Sequence, residues 1–346
     1  MLQPQAAKLA MNASNRVAAG LSDFLPGFSG KRVLVTGATG FVGSNLVRLL
    51  CDVECDIVRV ARRPAPRLEG CPARFTDMAG DIRDAAMWPR ALEGVDMVFH
   101  FAAQTSVAAA HADPDADHAA NVLPLLHLLD ACRRAGARPI VLSAGTVTQA
   151  GAPARLPVDE SHPDQPATTY DAHKLMAENH LKYHASEGLV RGASLRLANV
   201  YGPGPSGPPD RGILNTMIRK ALAGETLTIY GSGEFLRDYL YVRDAALAFL
   251  AAATRIEALN AGHWVVGTGR GHTLADAFHL VARQAARRTR HPVAVEHVQP
   301  PAPLSAIDAR SFVADPSAFA RATGWRARCA LAEGIDRTIE SFLCES

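Results

Sequence analysis

The sequence of 346 residues predicts an α/β protein built on a doubly wound parallel sheet. Two observations support this prediction. Between Lys31 and Ser143, short runs of β-forming residues alternate with segments of helix length, which is typical of parallel strands joined by helical crossovers. The first of these strands also runs into a glycine-rich turn, Gly37–Gly43, that leads directly into an amphipathic segment.

The alternating region predicts five strands. They are expected at Arg32–Thr36, Asp56–Val60, Ala73–Thr76, Met97–Phe101 and Pro139–Ser143. Helices are expected at Ser44–Cys51, Asn121–Ala135 and Ala167–Glu187. Two later apolar runs, Gly192–Ala198 and His263–Val266, could add a sixth and a seventh strand.

The composition changes along the chain and predicts its domain organisation. Residues 1–29 are expected to form an N-terminal extension with a helix over Gln5–Leu21, and residues 30–200 the sheet domain. Residues 201–346 are expected to form mainly a smaller lobe, interleaved with the sheet through strands near residues 239–268. The segments rich in proline and glycine predict loops at Ala150–Pro166, Tyr201–Gly212 and Pro300–Ala306.

The bulk composition excludes several classes of function. With 48% hydrophobic and 20% charged residues and a net charge of +2, the chain resembles a soluble globular protein and offers no electrostatic case for nucleic acid. No apolar run reaches the ~18 residues of a membrane span, and the first residues are too interrupted for a signal peptide. The six cysteines form no Cys-x-x-Cys pattern, which favours a reduced, cytoplasmic chain. Three histidines (His173, His180 and His184) could share a helix face, but no zinc pattern accompanies them, so we predict no metal.

The glycine-rich turn is the stronger of two motifs that indicate chemistry. Gly37, Gly40 and Gly43 lie between the first strand and its helix. Without Cβ atoms, the backbone can approach a pyrophosphate closely, and the N-terminus of the helix offers free N–H groups to it. The order strand, turn and helix therefore predicts a dinucleotide-binding domain of the Rossmann type.

The second motif is Tyr170-Asp-Ala-His-Lys174, in which tyrosine and lysine share one face of a predicted helix. A phenol has a pKa of about 10, which is too high for proton exchange at neutral pH. A nearby ammonium group favours the phenolate and lowers that pKa. The pair therefore predicts an acid–base site.

Together the two motifs resemble the short-chain dehydrogenase/reductase superfamily. The Gly-x-x-Gly-x-x-Gly spacing resembles its extended branch, which includes the NAD-dependent epimerase/dehydratase family acting on nucleotide sugars. Similar blocks follow in order at Gly80–Asp84, His100–Gln104, Arg196–Pro203, Arg237–Asp244 and Gly324–Trp325, so the resemblance covers about residues 31 to 343.

The resemblance implies a role for each matching residue. Tyr170 would exchange a proton with a sugar hydroxyl or ketone, and Lys174 would hold the nicotinamide ribose and lower the pKa of Tyr170. The residues implied in cofactor binding are Gly37, Thr39, Gly40, Phe41, Val42, Asp81, Ile82, Phe101, Ala102, Ala103 and Lys174. Those implied in substrate binding are Gln104, Asn199 and Arg237. Asn199 and Arg237 would contact a diphosphate, which suits the guanidinium fork.

One departure from the family pattern concerns the cofactor. NAD enzymes usually carry an acidic residue at the end of the second strand, where this chain has Ala61 followed by Arg62 and Arg63. Arginines at this place accommodate a 2′-phosphate. We therefore expect NADP(H), with NAD as the second choice.

A second departure concerns catalysis. The family's catalytic serine or threonine falls on Ala144, so we expect Ser143 or Thr146 to supply the hydroxyl; a water, the substrate or an altered chemistry are the alternatives. The 4,6-dehydratases carry Thr-Asp-Glu at the position of Ala144–Thr146, because elimination needs an acid and a base. Dehydration is therefore not expected.

A third departure lies near the C-terminus. The family's second diphosphate-binding arginine falls near Ser305, although Arg310 is close by.

The resemblance and the expected NADP(H) together imply reduction of a keto group, at C4 of a nucleotide-activated deoxysugar, with NADPH and with Tyr170 as proton donor. The alternatives are a nucleotide-sugar 4-epimerase with tightly bound NAD and a non-catalytic dinucleotide-binding protein. The leucine-rich segment Asn121–Ala135 is apolar on more than one side. The resemblance implies a homodimer formed by this segment and the Tyr170–Lys174 helix, and a face covered by a second subunit would explain the apolar residues.

Overall fold

A computed structural model describes residues 23–63, 65–66, 68–205, 212–300 and 309–344. Its main sheet has seven strands in the order β10-β6-β5-β4-β1-β2-β3. The strands are β1 (Arg32–Thr36), β2 (Asp56–Ala61), β3 (Arg74–Ala79), β4 (Met97–His100), β5 (Ile140–Thr146), β6 (Arg191–Leu197) and β10 (His263–Val266). Every neighbouring pair is parallel, which confirms the predicted doubly wound class.

Helices cover both faces of this sheet. In chain order the helices are α1 (Phe41–Leu50), α2 (Trp88–Ala91), α3 (Val107–Ala112), α4 (Pro114–Asn121), α5 (Leu123–Ala135), α6 (Thr169–Ser186), α7 (Ile213–Leu222), α8 (Val242–Thr254), α9 (Ile256–Leu259), α10 (Leu274–Thr289), α11 (Ser317–Thr323) and α12 (Leu331–Cys344). The apolar side chains of α1 and α8 belong to one buried cluster. Those of α2, α5 and α6 belong to another, on the opposite face.

Two small sheets form the second lobe. One contains β7 (Asn199–Tyr201), β9 (Leu236–Tyr241) and β11 (Gly271–Thr273), and the other contains β8 (Leu227–Tyr230) and β12 (Val295–Val298). Helices α7, α10 and α12 pack with them around a third buried cluster. From β9 the chain returns through α8 to the main sheet, where β10 pairs with β6.

Several element bounds differ from the sequence-based prediction. Strand β5 runs to Thr146, three residues beyond the expected end at Ser143, because its last residues pair with β6. Strand β3 starts one residue later than expected and ends at Ala79, in register with β2. The N-terminal helix expected over Gln5–Leu21 lies outside the described residues, as does most of the expected loop Pro300–Ala306.

Candidate active site

The glycine-rich turn brings backbone segments closer than side chains would allow. Gly37 has φ +66°, and a Cβ there would lie 2.8 Å from the backbone nitrogen of Ala102. A Cβ on Gly43 would lie 2.3 Å from the carbonyl oxygen of Gly37. Helix α1 begins immediately after Gly40, with no side chain capping its N-terminus. The residues present therefore fit a dinucleotide, since the first N–H groups of α1 are available to a pyrophosphate.

The other residues expected at the cofactor lie at the same edge of the sheet. Thr39, Phe41 and Val42 are half-buried beside the turn, and Phe101, Ala102 and Ala103 are half-buried directly after β4. Asp81 and Ile82 follow β3. The pKa of Asp81 is held below its usual value, chiefly by hydrogen bonds from Arg83. Arg62 and Arg63 are exposed directly after β2.

Tyr170 and Lys174 lie one turn apart in α6, whose N-terminus is capped by the Thr168 hydroxyl accepting from the backbone N–H of Asp171 at 3.0 Å. Tyr170 is half-buried, whereas Lys174 is buried. Burial lowers the pKa of Lys174 to about 8, although the carboxylates of Glu178 and Asp117 oppose that shift. Lys174 therefore still carries a positive charge at neutral pH, as stabilisation of a phenolate requires.

A polar cluster around Asp117 joins α6 to the loop after β4. The buried Asp117 carboxylate accepts from Gln104 Nε2 at 2.7 Å and from Asn121 Nδ2 at 2.8 Å. His173 Nδ1 lies 2.7 Å from the second carboxylate oxygen. Gln104, expected to bind substrate, thus has its side-chain amide bonded inside the protein, to Asp117 and to the carbonyl oxygen of Ser106.

No sequence motif marks this cluster. Asp117 and Asn121 are four residues apart and therefore share one face of α4, and His173 directly precedes Lys174. These spacings are the only indication of the cluster in the sequence. They do not show that α4 contacts α6, because that contact forms only in the tertiary structure.

Ser143 and Thr146, expected to supply the hydroxyl that Ala144 lacks, lie in different surroundings. Ser143 is buried in the middle of the sheet, opposite His100 and Ser194. Side chains alternate along a strand, so Thr146 shares the face of Ala144 and Ser143 points to the other face. Thr146 is half-exposed at the carboxyl end of β5, and its Oγ1 lies 2.9 Å from the hydroxyl of Thr148.

A buried ion pair anchors α6 to β6. Arg196 and Glu178 are both buried; the guanidinium donates to both carboxylate oxygens of Glu178, at 2.5 and 3.1 Å. A further guanidinium nitrogen of Arg196 lies 2.6 Å from Asp164, and Gln149 donates to Glu178 at 3.0 Å. Glu178 lies one turn after Lys174, so this network holds α6 against the sheet.

The expected diphosphate residues come from neighbouring strands of the second lobe. Asn199 on β7 is paired with Tyr239 on β9, two residues after Arg237. The Arg237 guanidinium donates to the carbonyl oxygen of Leu236 at 3.0 Å and to that of Arg310. The fold thus brings Arg310 beside Arg237, whereas Ser305 lies outside the described residues.

The comparison with known proteins shows the family of this chain. A family model described as "NAD dependent epimerase/dehydratase family" matches residues 33–267. The chain belongs to this family. The chain is 32% identical over 317 residues to a UDP-glucose 4-epimerase of Mycolicibacterium smegmatis, and the match covers 90% of this chain and 98% of the relative.

Two solved structures are similar to this family member over most of its length. A UDP-glucose 4-epimerase of Thermotoga maritima with UDP-glucose has a TM-score of 0.80 at 29% identity and covers 91% of this chain and 99% of its own. A UDP-glucose 4-epimerase of Thermus thermophilus in complex with NAD has a TM-score of 0.75 at 31% identity. The match covers 90% of this chain and 99% of the Thermus chain. The family member is thus an enzyme of the NAD(P)-binding oxidoreductase and epimerase class.

Two further observations concern the described residues alone. None of their helices is both long and apolar enough to cross a bilayer. They also contain no cluster of three or more histidine, cysteine, aspartate or glutamate side chains that could bind a metal ion.

Proposed function

We propose that the protein is a nucleotide-sugar 4-epimerase. The observation that carries the proposal is the acid–base pair Tyr170 and Lys174 on α6, in a chain that also has the glycine-rich turn for a dinucleotide and no carboxylate at Ala144–Thr146. Such a site can oxidise a hydroxyl and reduce the resulting ketone, but it lacks the additional acid and base that eliminate water. The similarity to UDP-glucose 4-epimerases along nearly the whole chain supports this reading.

The residues of the site divide the proposed work among them. A bound nicotinamide dinucleotide would supply the hydride acceptor and donor. Tyr170 would take the proton of the reacting hydroxyl and return it when the hydroxyl is restored, while the Lys174 ammonium stabilises the phenolate. Asn199, Arg237 and Arg310 would hold the diphosphate of the substrate, since guanidinium groups bind phosphate oxygens in pairs.

A second candidate is the NADPH-dependent reduction of a 4-keto sugar nucleotide. The specific observation in its favour is Arg62 and Arg63, exposed after Ala61, where an acidic residue would otherwise bind the ribose 2′-hydroxyl of NAD. A cofactor consumed in every turnover suits a reductase, whereas an epimerase regenerates its cofactor within each cycle.

One experiment separates the two candidates. The purified protein is supplied with NAD and UDP-glucose, and separately with NADPH and a 4-keto-6-deoxy sugar nucleotide. We expect nuclear magnetic resonance to show interconversion of the C4 epimers with no net change in absorbance at 340 nm. Stoichiometric loss of NADPH with the keto sugar, without epimer exchange, would instead establish the reductase. Bound dinucleotide with neither reaction would favour a non-catalytic binding protein.

The two arginines after β2 also lead to a prediction about the cofactor. Replacing both Arg62 and Arg63 with alanine should weaken NADP(H) binding by about tenfold or more, because hydrogen bonds to charged groups contribute ~1.5–3 kcal/mol each. NAD(H) affinity should stay nearly constant, since NAD has no 2′-phosphate. Fluorescence titration with NADP(H) and with NAD(H) measures the ratio of the two affinities.

Arg74→Ala is the matched control, because Arg74 is an exposed arginine of β3 whose side chain pairs with Asp56. Equal losses for both cofactors, or no change for either, would contradict a 2′-phosphate site at Arg62 and Arg63.

We propose in addition that the protein forms a homodimer through α6. Its outward face borders a groove of about 670 Å³, and the side chains on this face include Leu175, Met176 and Tyr183. Met176 is 43% exposed and Tyr183 59% exposed. This apolar helix face is exposed in the single chain, as is typical of a protein–protein interface. In a two-fold symmetric dimer, the same face of each subunit would pack against that of the other.

Introducing a charge into this face should separate the subunits. Tyr183→Glu is expected to convert a dimer into a monomer, because two carboxylates would be buried across the two-fold axis. Light scattering after size-exclusion chromatography measures the mass. Tyr230→Glu is the control, since Tyr230 is 49% exposed but lies in the second lobe. A wild-type monomer, or a Tyr183→Glu dimer, would argue against this interface.

A further inference from the structure

Arg59 is a buried charged residue of β2 to which the proposed chemistry gives no role. Its side chain is 5% exposed, and its guanidinium grips Asp77, which lies directly opposite on β3. Nε donates to one carboxylate oxygen at 2.6 Å and Nη2 to the other at 2.8 Å. The guanidinium carbon also lies 4.5 Å from the centre of the Phe75 ring. These contacts fix the planar group in one orientation, since its fork matches both the carboxylate and the ring.

The remaining end of the fork reaches the segment that leaves β2. Nη1 of Arg59 donates to the carbonyl oxygen of Pro66 at 2.9 Å. At the other end of this segment, Ala61 is paired with Ala79 on β3, and its carbonyl oxygen accepts from the backbone N–H of Gly80 at 3.1 Å. The chain between Ala61 and Pro66 is therefore attached to the sheet at both ends, by strand pairing and by Arg59.

This segment carries the two arginines expected at the 2′-phosphate. Arg62 and Arg63 are both exposed. The segment also starts at the glycine-rich turn, because the backbone N–H of Gly37 donates to the carbonyl oxygen of Val60 at 3.0 Å. Long, exposed side chains lose conformational freedom when they bind a ligand. A backbone that is already fixed on both sides of Arg62 and Arg63 reduces this loss.

We propose that Arg59 is a positioning residue that fixes the segment bearing Arg62 and Arg63 and thereby sets the preference for a cofactor with a 2′-phosphate. Arg59 does not touch the phosphate; it acts through the carbonyl oxygen of Pro66. This inference rests on the proposed dinucleotide-binding function and on the 2′-phosphate site predicted at Arg62 and Arg63. It applies to the epimerase and to the reductase alike.

Substitution of Arg59 tests the proposal through the ratio of two affinities. We expect Arg59→Met, which keeps a long side chain but no donor, to lower the ratio of NADP(H) to NAD(H) affinity by about three- to tenfold. The reason is that each loosened arginine must be ordered again when the phosphate binds. NAD(H) affinity should change little, because NAD has no group for these arginines. Fluorescence titration with NADP(H) and with NAD(H) measures the ratio.

Two further variants show that the fork is the cause. Arg59→Lys keeps the charge beside Asp77, and it keeps the fold testable if Arg59→Met is unstable. A compact ammonium group does not reproduce the planar fork, so we expect a similar fall in the ratio. Arg74→Met is the matched control, because Arg74 forms the other ion pair between these strands, with Asp56 at their amino ends. It should keep the wild-type ratio.

The cofactor-free protein provides a second readout. Hydrogen–deuterium exchange followed by mass spectrometry reports how firmly the backbone of residues 60–70 is held. We expect faster exchange there in Arg59→Met than in the wild type, and wild-type exchange in Arg74→Met.

A double-mutant cycle tests whether Arg59 acts through the two arginines. In a protein that already carries Arg62→Ala and Arg63→Ala, adding Arg59→Met should leave the ratio of affinities unchanged. Non-additivity of this kind identifies residues that act through one another.

Several outcomes would overturn the inference. They are a wild-type ratio in both Arg59 variants, an equal fall for both cofactors, which a general structural role would produce, or additive losses in the cycle. If Arg62→Ala with Arg63→Ala leaves the ratio unchanged, the 2′-phosphate site itself fails and takes this inference with it. That result is distinct, because it appears with Arg59 intact. A wild-type protein that binds neither cofactor would refute the proposed function.

Discussion

Tyr170→Phe is expected to abolish turnover almost completely while leaving the binding of the dinucleotide nearly unchanged. The phenol is the proposed group that exchanges the substrate proton, and a positioned acid or base contributes about 10²- to 10⁴-fold to the rate. The ring remains in place, so the packing at the start of α6 is preserved. Steady-state kinetics on the sugar nucleotide, together with fluorescence titration of the cofactor, measure the two effects separately.

Tyr183→Phe provides the matched control for this prediction. It makes the same chemical change in the same helix, but on the outward face of α6, where Tyr183 is 59% exposed. We expect it to keep wild-type rates. If Tyr170→Phe retained a substantial part of the activity, another group would have to carry the proton and the proposed mechanism would be wrong.

Glu178→Gln is expected to lower the free energy of unfolding by about 3–5 kcal/mol, the usual cost of removing one partner from a buried ion pair. The substitution leaves the buried guanidinium of Arg196 with Asp164 as its remaining carboxylate partner, and that carboxylate is 30% exposed. It also removes one of the two carboxylates that oppose the lowering of the pKa of Lys174 by burial. Chemical denaturation followed by circular dichroism measures the change.

The control for Glu178→Gln is Glu187→Gln, because Glu187 is exposed just after the end of α6. We expect that variant to differ from the wild type by less than about 0.5 kcal/mol, as is usual for surface sites. A Glu178→Gln protein with wild-type stability would show that the network around Arg196 does not anchor the helix.

Most of the main sheet could be predicted because its signals are local. Strand β1 and helix α1 are marked by an apolar run, by glycines at Gly37 and Gly43 and by an amphipathic segment, all within twenty residues of chain. The end of β5 could not be predicted in the same way. Ala144 and Gly145 have low strand propensity, and they are extended because they pair with Leu195 and Arg196.

In the candidate site, too, the features that are local in the chain could be predicted and the contacts between distant segments could not. Tyr170 and Lys174 could be predicted because their spacing is a property of one helix. The partners of that helix could not, because Asp117 lies in α4, Thr148 follows β5 and Arg196 lies in β6. Each of these contacts joins segments that are distant in the chain, so it exists only after the sheet has formed.

The sequence by itself therefore determined the family, the doubly wound sheet, the glycine-rich turn and the one-turn spacing of Tyr170 and Lys174, since these depend on the order and spacing of neighbouring residues. Only the tertiary structure decided that Ser143 is buried within the sheet, and that Thr146 lies at its open edge. It also brought the hydroxyl of Thr148, which follows β5, to the carboxylate of Asp171 on α6, to which it donates a hydrogen bond. The physical reason is that burial and hydrogen-bond direction are set by the groups that packing brings together, and these groups come from separate parts of the chain.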